Sequence, residues 1–251
     1  MNLIINGISV TPNPDETLFE IAMRLGFFEG KLSTDPIAAK IKGKTFTLNY
    51  VPLRQKDIQL ERESMRRAIT ASGGNVQLLR YSDALGKEVY KRTAQFIIFL
   101  AIKKCWPDAE AKMSFTVGQG LYIKVSGAED FSVITLKEEI QRIVNEDIRL
   151  IRRRLKTDEA IDYFIATGED DKARLLSYRE YDYLDVYQYG EYIDYFYGEM
   201  APSTGFLKVW DIMPMDEGFI FIFPDTEDPD RVSRYKHTRL FEGSCFQSYH
   251  R

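Results

Sequence analysis

One stretch constrains the fold more than any other. KEVYKRTAQFIIFLAIKKC, from Lys87 to Cys105, is apolar at helical spacing for about five turns and stops at Trp106-Pro107. Patterns of strand type lie on both sides of it. A helix this apolar has to be buried against sheet, so the chain reads as α+β and not as a helical bundle.

The first sixty residues form a small unit. LIIN, a turn at Asn6-Gly7 and ISVT make a two-residue hairpin of the kind that Asn-Gly favours. Asp15-Glu16-Thr17 then opens a helix with Leu18, Ile21, Ala22 and Leu25 on one face and Gly26 after its end. After a loop with Asp35-Pro36 come IAAKIKG, a turn at Lys42-Gly43, TFTL and a last short strand, DIQLE, ending at Glu61. Two strands, a helix and three more strands are a β-grasp order. Residues 62–86, with Gly73-Gly74 and Gly86, are expected to connect, with only a weak strand signal from Val76 to Arg80.

Beyond the long helix, KMSFTV and GLYIKV alternate and are joined through Gly118 and Gly120 as a hairpin. Thr135 to Glu138 has the form of a capping box for a helix to about Glu146. DIRLIRRRLK alternates as an edge strand. Thr157-Asp158-Glu159 opens a helix ending at Gly168, and DDKARLLSY makes another. VYQYG, YIDYFYG, FLKVWDI and FIFIF are strands, so a mixed or antiparallel sheet flanked by three or four helices is expected. The tail keeps apolar residues at helical spacing in LFEGSCFQSYHR: either it docks back or the natural chain continues, and continuation is the expectation.

At 251 residues there is room for two cores. No run approaches 18 apolar residues, and MNLIINGISV lacks the basic and apolar regions of a signal peptide. Two cysteines fit a reducing compartment, so a cytoplasmic location is expected. A net charge of −4 gives no general attraction to nucleic acid or an anionic membrane.

Catalytic signatures are few. Both histidines, His237 and His250, lie in the tail, away from any general-base or zinc site in the body of the chain. Cys105 ends the apolar helix as a small hydrophobe, and Cys245 has no C-x-x-C partner, so no metal site is expected. Gly118-Gln119-Gly120 lacks the rest of a phosphate-binding loop. Glu169-Asp170-Asp171 suits a helix start. Arg149, Arg152, Arg153, Arg154 and Lys156 are the one cationic cluster: a protected sheet edge, or an anion or RNA contact. The tyrosines between Tyr178 and Tyr197 fit a half-buried sheet face better than a stacking surface.

Two resemblances raise the reading above a generic α+β protein. Through its hairpin, ETLFEIA, IAAKIKGKTFTL and DIQLE, residues 1–62 resemble a TGS domain, the ubiquitin-like β-grasp of threonyl-tRNA synthetases and certain GTPases. Through KRTAQFIIFLAIKKCWPDA, GQGLYIKV and YGEMAPSTGFLKVWDI, residues 87–230 resemble the second additional domain of threonyl-tRNA synthetase, which carries its editing site. EDDKARLLSYR, YGEYIDYFYG, PSTGFLKVWD and GFIFIFPDTEDP are similar to the copy at the front of uridine kinase-like nucleoside kinases. The resemblance implies a connection at 63–86 and a tail, 231–251, leading to a kinase domain that would bind ATP and magnesium. It also implies a role as a non-catalytic accessory region, with that kinase domain as partner and self-association plausible.

The editing site of such domains is an H-x-x-x-H pair on the first helix and a Cys-x-x-x-His pair before PSTG. Here those positions hold Arg92 and Phe96, and Phe196 and Met200. None of the four is a competent general base, so no catalytic residue is expected. Either side chains fill the pocket, or Arg92 anchors an anion between apolar walls and a small molecule or nucleotide binds. An RNA-binding adaptor is the alternative, and a freestanding editing hydrolase a weaker one.

Overall fold

A computed structural model of the chain describes residues 2–52 and 67–232. The expected strand at DIQLE and the tail from residue 233, with His237, Cys245 and His250, lie outside them.

β1 (Leu3–Ile5) and β2 (Ile8–Val10) pair antiparallel around Asn6 and Gly7, both at positive φ, as a primed turn requires. α1 (Leu18–Arg24) begins with a complete capping box: Thr17 Oγ1 accepts from the Glu20 N–H, and Glu20 accepts from the Thr17 N–H at 2.7 Å. β3 (Ala38–Ile41) and β4 (Lys44–Thr47) form the second hairpin. The central strand is β5 (Asn75–Leu79), parallel to β1 and antiparallel to β3, giving the order β2-β1-β5-β3-β4. It comes from the stretch expected to be a connection. NVQLL has weak strand propensity of its own, and its place between two strands, with Val76, Leu78 and Leu79 buried, supplies the rest. Gly74 permits the approach: a Cβ there would lie 2.6 Å from the Asn2 carbonyl.

α2 (Ala84–Cys105) starts three residues earlier than the apolar spacing indicates. Asp83 accepts from the Arg80 N–H at 2.8 Å, and Gly86 lets the first turn press on Arg80, whose carbonyl would be 1.9 Å from any Cβ. β6 (Glu110–Val117) and β7 (Gly120–Ser126) form the expected hairpin. With β11 (Asp211–Met215) and β12 (Gly218–Ile222) they make a sheet ordered β11-β12-β7-β6. β8 (Arg152–Lys156), β9 (Tyr183–Tyr189) and β10 (Tyr192–Tyr195) make a separate antiparallel sheet ordered β10-β9-β8. The single expected sheet is therefore two, and the expected strand FLKVWDI is instead a 3₁₀ turn (Thr204–Phe206) with strand only from Asp211.

α3 (Val133–Glu146) is capped by Ser132, which accepts from the Thr135 N–H; the capping pattern read at Thr135 lies inside the first turn. α4 (Thr157–Ala166) and α5 (Asp170–Ser177) cover the three-stranded sheet through Ala160, Phe164, Ala173 and Leu176 on Leu184 and Val186. α2 lies at the heart of the larger core with α3, Ile123, Phe219 and Phe221. None of the described helices is long and apolar enough to cross a membrane.

The β-grasp unit is bound to the rest. Asn49 Nδ2 donates to the carbonyls of Leu150 (3.1 Å) and Pro202 (2.7 Å), Phe206 packs edge-on against Phe19 and Phe28, and Lys208 meets Asp35 at 2.6 Å. Burial is the largest single influence on Asp35 and raises its pKa. Lys208 and the N–H groups of Glu29 and Gly30 outweigh it, and the pKa falls below the usual 3.8. Its contribution is thus present above pH 3.8 and lost as the pH drops through the folded value. Asp35→Asn is expected to lower stability at pH 7 by about 2 kcal/mol, a charge-assisted hydrogen bond's worth. Urea midpoints should show the gap to wild type closing toward pH 3.

Candidate functional site

A cavity of about 820 Å³ opens between one face of α2, the outer strands β6 and β10, and the turn joining α4 to α5. Gly168, at φ 73, ends α4 in a left-handed turn and swings Glu169 and Lys172 toward β10. There the Lys172 ammonium meets Asp194 Oδ1 at 2.8 Å and also Glu169, above the ring of Phe164 at 5.3 Å. Asp194 is 3% exposed, and its second oxygen accepts from the Tyr192 hydroxyl at 3.1 Å. Tyr163 holds the strand by accepting from the Ile193 N–H at 2.8 Å.

Burial is the largest influence on Lys172 and favours the neutral amine. The two carboxylates overcome it, and the pKa lies above 10.5, so the lysine is a cation at neutral pH. Burial, then the Asp194 charge, push the Tyr192 phenol well above 10.0, which keeps it a donor. One cation, two carboxylates and phenol groups in a partly apolar hollow suit a polar small molecule. Lys172, Asp194 and Tyr192 were not singled out from the sequence, and Glu169 was read only as part of a helix start. The signal lay in the EDDKARLLSYR and YIDYFYG blocks, read there only for resemblance and secondary structure.

Of the four positions carried over from the editing motif, Phe96 and Phe196 meet edge-on, and Phe196 reaches this cavity. Arg92 donates to the Glu199 carbonyl and lies flat beneath Gly198, where a Cβ would stand 3.0 Å from the guanidinium carbon. Phe96 is fully buried, with Tyr192, Phe196 and Tyr187 rings at 5.5, 6.2 and 6.4 Å. Met200 is fully buried, and its N–H donates to the Tyr187 hydroxyl at 3.0 Å. Of the four, Phe196 alone lines the cavity. Glu199, next to Arg92, is half-buried against Arg152 at 2.9 Å; desolvation is the largest influence and raises its pKa.

The PSTG segment is a joint. Thr204 donates to the Ile143 carbonyl at 2.8 Å and accepts from the Ile148 N–H at 2.9 Å, while Asp147 accepts from the Gly205 N–H and the Ser203 hydroxyl. A Cβ on Gly205 would lie 2.2 Å from the Asp147 carboxylate. Gly205→Ala is therefore expected to cost about 1–3 kcal/mol, visible as a lower melting temperature.

The arginine cluster on β8 and just before it is largely engaged. Arg152 and Arg154 share Asp185 at 2.7 and 3.0 Å, Arg153 donates to Gln188, and Arg149 donates to the Asn49 carbonyl at 3.2 Å. Arg149 and Arg153 remain exposed. Burial raises the Cys105 pKa, as expected of a packed thiol. Among the described residues no group of His, Cys, Asp and Glu is arranged to hold a metal ion.

No protein-family model matches the chain. A threonine–tRNA ligase from Syntrophomonas wolfei is 30% identical over 148 residues, 57% of this chain and 23% of the relative. Those of Desulforamulus reducens and Carboxydothermus hydrogenoformans are 29% and 27% identical over 201 residues, 78% of this chain and 28% of each relative. The chain is similar to threonine–tRNA ligases. It spans about a quarter of the length of these relatives. They support the resemblance to synthetase-type domains and lend none to a nucleoside-kinase parent. The α+β architecture, a β-grasp sheet followed by antiparallel sheets flanked by helices, agrees with that relationship.

Proposed function

We propose that this chain is a synthetase-related binding module that holds the aminoacyl end of a tRNA, or a small molecule resembling it, without hydrolysing it. The observation that supports this best is the division of the site. Lys172, Asp194, Glu169 and Tyr192 keep a charged, hydrogen-bonding wall in a cavity of about 820 Å³. The neighbouring positions that would activate water are Arg92, Phe96, Phe196 and Met200. Lys172 suits the ligand carbonyl, and the carboxylates suit its amine. The relatives, named for threonine and tRNA, favour this ligand class. A cytoplasmic location goes with it. The test is calorimetric titration with 3′-threonylamino-3′-deoxyadenosine, whose amide resists hydrolysis. Saturable binding that Lys172→Met abolishes is expected; no heat with wild type refutes the reading.

A second reading keeps the chain as the accessory region of a nucleoside kinase, with ATP and magnesium handled by a following domain. The resemblance of the EDDKARLLSYR block to the copy in such kinases is what favours it; here that block forms α5 and supplies Lys172 to the cavity. Phosphorylation of uridine by residues 1–251 alone, with ATP and magnesium, would refute an accessory role.

A further inference from the structure

At the mouth of the cavity the chain displays a group of tyrosines that the site above does not use. Tyr178, Tyr181 and Tyr197 are 79%, 71% and 70% exposed. Isolated exposed aromatics are ordinary, but Tyr181 and Tyr197 flank one half-buried cation. The Arg179 guanidinium stands over the Tyr197 ring at 5.1 Å and over the Tyr181 ring at 5.9 Å. Among the described residues no carboxylate is paired with it. Tyr197 in turn meets Tyr195 edge-on at 6.0 Å, and both line the cavity, so the surface runs continuously into the site.

We propose that Tyr197, Arg179 and Tyr181 are a stacking platform for the unpaired nucleotides of an RNA strand whose end enters the cavity. The inference rests on the binding role above and adds the residues that select a strand over a lone nucleoside. Rings that flank a guanidinium offer stacking surfaces to bases, and its N–H groups suit one phosphate. Exposed Glu180 and Asp182 oppose any general hold on polyanions, so recognition relies on stacking with about one phosphate contact. That separates the platform from the β8 arginines, whose use would give a steeper salt dependence.

The experiment uses the full chain and two probes, 3′-threonylamino-3′-deoxyadenosine and a single-stranded tetraribonucleotide ending in the same group. The tetranucleotide is expected to bind at least tenfold more tightly, at roughly one base–aromatic stack. Tyr181→Ala and Arg179→Gln, at positions outside the core and outside the cavity lining, should remove that gain and leave the nucleoside probe unchanged. A gain that is absent, or that survives both substitutions, overturns the platform while the cavity reading stands. If the nucleoside probe does not bind, the cavity reading fails, and an unmodified tetranucleotide decides: binding lost in Tyr181→Ala supports the platform, and no binding overturns it. Displacement of the tetranucleotide by a basic peptide that itself binds more tightly also overturns it, in favour of a protein partner.

Discussion

Phe96→Ala is expected to destabilise the chain by about 3–5 kcal/mol, the cost of removing a large ring from a packed core. Phe96 has no exposed surface and meets the rings of Tyr187, Tyr192 and Phe196, so no neighbour can collapse into the space without giving up its own contact. Tyr187 is further tied by accepting from the Met200 N–H. A side chain kept for a ligand would behave differently, because an open pocket already hydrates its walls and truncation there costs little. Chemical denaturation of Phe96→Ala beside Phe196→Ala makes the contrast, since Phe196 is part-exposed at the cavity and should cost less.

Asp194→Ala is expected to cost about 3 kcal/mol and to abolish ligand binding. The carboxylate is buried, and it meets Lys172, the Tyr192 hydroxyl and the Tyr195 N–H. Its removal leaves a lysine with Glu169 alone and a buried phenol without its acceptor, and breaking one side of such a pair costs more than removing both. The double variant Asp194→Ala with Lys172→Met should therefore recover part of the loss. The same groups set the alkaline limit. Lys172 has a folded pKa above 10.5, so its pair stabilises fully below that value and is lost as the pH rises through the folded one. Tyr192, Tyr81 and Tyr90, all raised from 10.0 mainly by burial, act in the same direction. Melting temperatures should fall steeply above about pH 10, and less so at the Lys172 end in Lys172→Met.

Much of the architecture was legible because it is local. The Asn6-Gly7 and Lys42-Gly43 turns, the capping residues around Thr17 and the apolar run of α2 declare themselves through backbone preference and periodicity. β5 did not, because NVQLL becomes a central strand only by the company of β1 and β3. One sheet became two for a related reason: alternation marks strands but carries no information about partners. At the site, only Phe196 of the editing-motif positions lines the cavity. Lys172 and Asp194 are 22 residues apart and meet only when α5 packs on β10. Spacing within a motif cannot register such a pair.

Seryl-tRNA carrying the threonine anticodon offers the most direct measurement, followed in one sample for complex formation and for release of serine. With the chain present, a retarded complex is expected while serine is lost no faster than in buffer. Release accelerated by the chain, and abolished in Arg92→Ala, would contradict the assignment of a binding cleft whose hydrolytic positions have been filled.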